Sequence, residues 1–231
     1  KGGHIGVVTT LLNAGFHRDQ PDEVGLIPAE ISARASHASS PAVTRLLLGS
    51  GQGGPLLHKY VDMAMTEDVE IVRGLVQAGA FLDWQDPQYG RTPLHRAVYF
   101  RHFQILKILL EADANPNLAD CYGVTPLHLV AVSGCTAEAA RLLEAGADTT
   151  APTRDGFSPL HLAVAFNRVA VARLLLGAPG SSIELRDDDV GITPLSWASR
   201  IGYTPMLSAL LEAGADLESR SAGGLTPLHW A

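Results

Sequence analysis

Polar and apolar positions alternate along this chain with the period of short helices, and the best-formed example lies between Gly123 and Gly146. Thr125 is placed to cap a helix, because its hydroxyl can accept from a free amide of the first turn. Pro126 suits the first helical position, where no amide hydrogen is required. Leu127, Val130 and Ala131 start an apolar stripe that Gly134 interrupts. Ala137, Ala140, Leu142 and Leu143 supply the inner face expected of a second helix, and Gly146 closes it in the left-handed conformation that favours glycine. The stretch from Ala147 to the next glycine is expected to run out and back as an extended turn.

This pattern recurs. Gly90-Arg-Thr-Pro-Leu-His95 returns as Gly123-Val-Thr-Pro-Leu-His128, Gly156-Phe-Ser-Pro-Leu-His161, Gly191-Ile-Thr-Pro-Leu-Ser196 and Gly224-Leu-Thr-Pro-Leu-His229, in steps of 33, 33, 35 and 33 residues. A second marker keeps phase with it: Leu109-Leu110, Leu142-Leu143, Leu175-Leu176 and Leu210-Leu211. One helix pair cannot bury its own apolar stripe, so each is expected to lean on the next in a one-dimensional array.

On these motifs the chain resembles the ankyrin-repeat family, whose unit of about 33 residues opens with T-P-L-H-x-A. The resemblance implies an all-α solenoid of stacked helix-turn-helix units with projecting hairpin-like fingers. It spans 1–231 as a single array: a partial unit 1–24, units 25–54, 55–89, 90–122, 123–155, 156–190 and 191–223, and a partial unit 224–231. It also implies that His95, His128, His161 and His229 bond to nearby hydroxyl and backbone groups and tie units together. His4, His37 and His102 are expected to do similar work, whereas His17 and His58 read as isolated.

Several positions depart from the pattern. Only Gln52, Gly53 and Gly54 separate Gly51 from Pro55, so a finger is expected to be missing there. Ala38-Ser-Ser-Pro41 reads as a small insertion. Ala29 and Glu30 replace Leu-His and are expected to weaken local packing. Asp113 stands for a terminating glycine, and Pro179 followed by Gly180-Ser181-Ser182 accounts for the 35-residue step. Both ends fall inside a repeat, so the sequence is expected to be part of a longer protein, with uncapped ends open to end-to-end self-association.

Composition narrows the function. The formal net charge is -7 with no basic block, which disfavours nucleic acid and anionic membrane surfaces. Two cysteines, Cys121 and Cys135, make neither a disulfide framework nor a zinc pattern. No apolar run reaches the ~20 residues that cross a bilayer. Phosphate-loop, dinucleotide, zincin and serine-hydrolase motifs are absent, so no enzyme, cofactor or metal is expected. Asp187-Asp188-Asp189 lacks the spacing of a calcium loop and reads as a solvated finger tip. Asn117 reads as a turn former. An intracellular protein-binding scaffold, cytoplasmic or nuclear, is the expectation. Its alternative is a regulatory or autoinhibitory segment of a larger enzyme, receptor or channel.

The family resemblance puts the partner on the concave groove and finger tips. Phase then selects Tyr89, Arg91, Tyr99, Phe100, Tyr122, Val132, Arg154, Phe157, Phe166, Asp189, Arg200 and Ile201 as the partner-binding set. Val124, Ser133, Asp155 and Ile192 occupy equivalent phases. Aromatic residues are only 6% of the chain, yet six of the selected positions carry one, and aromatics and arginine are the usual anchors of protein contacts.

Overall fold

The computed structural model describes residues 5–34, 41–49, 53–63, 68–188 and 190–231. The described residues form fourteen helices and no strand. They are α1 (Ile5–Asn13), α2 (Pro28–Arg34), α3 (Pro41–Leu48), α4 (Gly53–Met63), α5 (Asp68–Gln77), α6 (Pro93–Tyr99) and α7 (Phe103–Glu111), then α8 (Pro126–Ser133), α9 (Thr136–Glu144), α10 (Pro159–Ala165), α11 (Val169–Gly177), α12 (Pro194–Ile201), α13 (Thr204–Glu212) and α14 (Pro227–Trp230). The chain divides into two compact units, Lys1–Asn115 and Pro116–Ala231.

In the Pro116–Ala231 unit, α8, α10, α12 and α14 pack in sequence order as first helices. α9, α11 and α13 form a parallel row behind them. The core lies between the rows. Leu127, Val130, Ala131, Leu142, Val164 and Leu210 have no accessible surface. Each buried leucine contributes about 1.5–3 kcal/mol, so the interior, more than helix propensity, holds these short helices together. The inner face of α9 differs from the sequence expectation: Ala139 and Leu142 are buried, while Ala137 is exposed. A short helix can turn a small residue outward without losing much buried area.

The Lys1–Asn115 unit packs α4 on α6 and α5 on α7, and adds a contact of α2 with α5. Gly74 permits that contact. A methyl group there would stand 2.4 Å from the carbonyl oxygen of Ala33 on α2. Only residues 49–52 separate α3 from α4, against 145–158 between α9 and α10. Positions 50–52, where a finger is expected to be missing, and 38–40 of the expected insertion lie outside the described residues.

Helix ends follow the sequence cues with informative exceptions. Gly134 and Gly202 end α8 and α12 with φ of 81° and 79°. The corresponding residues after α6 and α10 are Arg101 (φ 58°) and Asn167 (φ 51°), and Asp113 takes φ 65° in place of a glycine. Asparagine and aspartate tolerate this region, whereas arginine pays for it. The longer connection after α11 is held by Ser181, whose hydroxyl donates to the Leu176 carbonyl at 3.0 Å.

Candidate functional site

Four first helices, α6, α8, α10 and α14, are each locked at the start by one histidine. The amides of Thr92, Thr125, Ser158 and Thr226 donate to Nδ1 of His95, His128, His161 and His229 at 3.1, 3.0, 3.2 and 3.3 Å. An amide can only donate, so Nδ1 carries no proton and the proton sits on Nε2. Nε2 of His128 then donates to the Phe157 carbonyl at 3.0 Å, and Nε2 of His161 to the Ile192 carbonyl at 3.2 Å. One ring thereby caps its own helix and binds the next repeat. Burial pushes the His161 pKa below the ordinary value, despite the opposing bond to Ile192 and the charge of Asp187. These are structural histidines.

Where the motif histidine is missing, other chemistry fills its place. Glu30 is buried, accepts from the Ile27 amide at 2.6 Å and pairs with Lys59 of the next repeat at 2.9 Å. Ala29 is fully buried too, so the expected weakening at Ala29 and Glu30 is corrected: the carboxylate caps the helix and reaches the next repeat. Ser196 replaces histidine in α12. There the Thr193 hydroxyl reaches both Ser196 Oγ (3.3 Å) and Ser219 Oγ (3.2 Å).

The fingers are tied at their base. Asp86 accepts from the amides of Gln88 (3.0 Å), Tyr89 (2.7 Å) and Arg91 (2.9 Å). Burial alone would raise its pKa, but these three bonds and the charge of His58 together bring it below the usual value. Asp120 accepts from Tyr122 and Val124, and Asp187 from Val190 and Ile192. Asp187 is therefore buried and holds a finger, which corrects its reading as a solvated tip. Neighbouring fingers also bond: the Arg154 amide donates to the Tyr122 carbonyl at 2.9 Å, and that of Ala222 to Val190 at 3.0 Å.

Asn117 is more than a turn former. It accepts from the Asp148 amide at 2.7 Å and donates to the Gly146 carbonyl at 3.0 Å, joining successive repeats. Asp83 and Glu184 accept the equivalent amides of Asn115 and Asp216. His102 does not copy the motif histidines; its ring stacks on Phe100 at 5.8 Å. His58 is buried, not isolated. It packs edge-on against Trp84 at 5.2 Å and lies 3.9 and 3.7 Å from Asp62 and Asp86, with no hydrogen bond at Nε2. His4, His37 and Asp189 lie outside the described residues.

The selected surface positions divide between the two units. In Lys1–Asn115, the Arg91 guanidinium lies over Tyr89 (5.1 Å) and Tyr99 (5.9 Å), and Tyr99 meets Phe100 edge-on at 5.1 Å. Tyr99 is 60% exposed and Phe100 39%, while Tyr89 and Arg91 are half-buried. In Pro116–Ala231, Tyr122 (53%), Phe166 (49%) and Ile201 (37%) are exposed, as are Arg154, Asp155 and Arg200. Val124, Val132 and Ser133 are half-buried. Phe157 is half-buried because it packs on Trp197 at 5.3 Å. Ile192 is 1% exposed, which removes it from the surface: its position follows the finger glycine, but its side chain turns into the core. Trp197 directly follows the Gly191–Ser196 motif, but its role depends on its contact with Phe157 of the preceding repeat, which phase alone does not give.

Among the described residues no group of His, Cys, Asp or Glu is arranged to hold a metal. No described helix is long and apolar enough to cross a membrane. The comparisons with known proteins agree with the repeat geometry. The family model described as Ankyrin repeats (3 copies) matches residues 34–120 and 112–187, and the one described as Ankyrin repeat matches 190–222. A stretch of 61 residues is 36% identical to the human 2-5A-dependent ribonuclease, covering 26% of this chain and 8% of that protein. Another, of 63 residues, is 35% identical to the palmitoyltransferase AKR1 of Kluyveromyces lactis, covering 27% and 8%. The chain thus matches under a tenth of the length of either relative. With family models covering most of its length and a helix-capping histidine repeated in phase, the chain belongs to the ankyrin-repeat family.

Proposed function

We propose that this chain is a non-catalytic interaction scaffold that holds a partner protein or peptide on its first helices and finger tips. Ankyrin repeats are generally protein-interaction modules. The observation that supports the reading is that Phe100 and Phe166 are exposed at the same phase, each at the end of a first helix, with exposed Tyr99 beside Phe100 and exposed Tyr122 on a finger. Isolated surface aromatics are ordinary. A phased set on a scaffold held by buried capping bonds has a use, since a preformed surface pays little ordering entropy on binding.

A second reading is favoured by the two relatives. Both are named as enzymes, and the similarity covers 8% of each, so a segment like this one can accompany catalysis elsewhere in a chain. Here the same surface would regulate or inhibit a neighbouring domain of an enzyme, receptor or channel. We place the protein inside the cell, with no cofactor and no nucleic acid.

The test is affinity capture with the whole chain, followed by binding measurements with the purified partner. Alanine at Phe100, Tyr122 and Phe166 is expected to weaken binding by about 1–3 kcal/mol in total while leaving the melting temperature within a few degrees. Unchanged affinity in all three variants would move the binding surface elsewhere.

A further inference from the structure

Charge in the Pro116–Ala231 unit is sorted by face. The second helices α9 and α13 and the turns near them carry Glu138, Glu144, Asp148, Glu184, Glu212 and Asp216. Basic side chains on that row are paired: Arg141 with Glu144 at 3.0 Å and Arg173 with Glu212 at 2.8 Å. The first helices α8, α10 and α12 contain no aspartate or glutamate. The charges at their C-terminal ends are Arg168, just after α10, and Arg200, in the last turn of α12; both are exposed. Among the described residues neither has a carboxylate partner. In a protein of net charge -7, a face that keeps only cations is a departure from the mean.

Both arginines are held in place by contacts that leave donors unused. Arg168 Nε donates to the Val132 carbonyl at 2.9 Å. The Arg200 guanidinium lies over the Trp230 ring at 5.8 Å. A guanidinium has five N–H donors and no acceptor, so a bond through Nε or a contact through its face leaves the terminal nitrogens for a carboxylate. The C-terminal end of α12 beside Arg200 contributes a partial negative charge of roughly half a unit, which a full positive charge exceeds, while Arg168 is also the N-cap of α11, where the partial charge is positive. Beside them are Phe166 (49% exposed), Ile201 (37%) and half-buried Val132. The finger acids Asp155 and Asp188 sit on loops next to Arg154 and Arg186 instead of on the helix ends.

We propose that the ends of α10 and α12 receive an acidic segment of a partner protein, with carboxylates on Arg168 and Arg200 and apolar side chains against Phe166 and Ile201. The inference rests on the first-helix face being the binding surface. Packed helices stand about 8–10 Å apart, and an extended chain advances about 3.3–3.6 Å per residue, so acids three residues apart match neighbouring repeats. Two arginines flanked by aliphatic side chains suit a peptide; they do not supply the run of phosphate contacts that nucleic acid requires.

The experiment is fluorescence anisotropy of the whole chain with three labelled probes. They are a peptide repeating Glu-Leu-Ser, its Gln-Leu-Ser counterpart, and an oligothymidylate of equal charge. The glutamate peptide is expected to bind roughly tenfold tighter than the glutamine one, and less tightly as salt rises. Arg200→Gln, alone and with Arg168→Gln, is expected to remove most of that difference, whereas Arg141→Gln and Arg173→Gln leave it intact. Arg168→Gln also loses the bond to Val132, so its melting temperature is measured and Arg200→Gln alone decides if it unfolds. Equal affinity for the two peptides, equal losses in the second-helix variants, or tighter binding of oligothymidylate would overturn the proposal. Equal peptide affinities that fall together on Phe166→Ala retain the binding face and remove the acidic preference; equal affinities that Phe166→Ala leaves unchanged remove both.

Discussion

The two compact units solve the same problem with different residues. In Pro116–Ala231 a Thr/Ser-Pro start and a histidine cap α8, α10 and α14, and His128 and His161 also bind the following repeat. In Lys1–Asn115 the same pair of tasks falls on Glu30 and Lys59 in α2 and α4, while Thr92 and His95 cap α6. Close approach differs too. Fingers press together at Gly156, where a methyl group would stand 2.4 Å from the Asp188 amide, while helices press together at Gly74. A repeat therefore fixes a set of bonds, not a set of residues. Substitutions survive when the replacement can accept from the N-cap amide and still reach the neighbour.

Substitution can break this comparison at its strongest points. Gly156→Ala combines a left-handed backbone with a backbone clash and is expected to cost about 2–4 kcal/mol in denaturant melts. Gly74→Ala meets a similar clash but gains about 1 kcal/mol of helix propensity, so a smaller loss of about 1–2 kcal/mol is expected. Equal losses would mean that the finger contact carries no special strain.

His161→Ala and Glu30→Ala sharpen the chemical side of the comparison. His161→Ala leaves a buried amide and a carbonyl of the next repeat unsatisfied, and a loss of about 2–3 kcal/mol is expected. Glu30→Ala strands the part-buried Ile27 amide while half-exposed Lys59 turns to water, so a smaller loss of about 1–2 kcal/mol is expected. His58→Ala removes a ring with no hydrogen bond at Nε2 and is expected to cost less. The pH dependence of stability reports on His161. Burial lowers the pKa of His161, so between its folded value and the ordinary value near 6.5 the unfolded chain binds more protons. Its contribution is complete above pH ~6.5 and is lost as pH falls through the folded pKa. His161→Ala is expected to flatten that acid decline in stability, measured as melting temperature against pH. A decline of unchanged slope would assign it to other groups.

The smallest effect is expected at Arg101, which takes φ 58° where α8 and α12 end in glycine. Arg101→Gly relieves that conformation and is expected to stabilise by about 0.5 kcal/mol after the entropic cost of glycine. A loss would show that the arginine side chain makes a compensating contact.

Much of the fold was legible because its cues are local. The Thr-Pro start, the interrupting glycine and the paired leucines each act within one helix pair, and repetition multiplies the signal. What was not legible depends on neighbours 30 or so residues away. Glu30 looked like a defect until Lys59 stood beside it, and Asp187 looked exposed until two amides folded over it. Ile192 shows the same limit on the surface, since phase gives a position along a finger but not the direction of its side chain. Trp197 and the cation-only ends of α10 and α12 emerged only when helices from successive repeats were set side by side.

The most direct measurement is hydrogen–deuterium exchange of the whole chain with and without its purified protein partner. Added protection is expected on the fingers and at the ends of α8, α10 and α12 around Val132, Phe166 and Ile201, with α9, α11 and α13 unchanged. Protection confined to α9, α11 and α13 would contradict binding through the first-helix face.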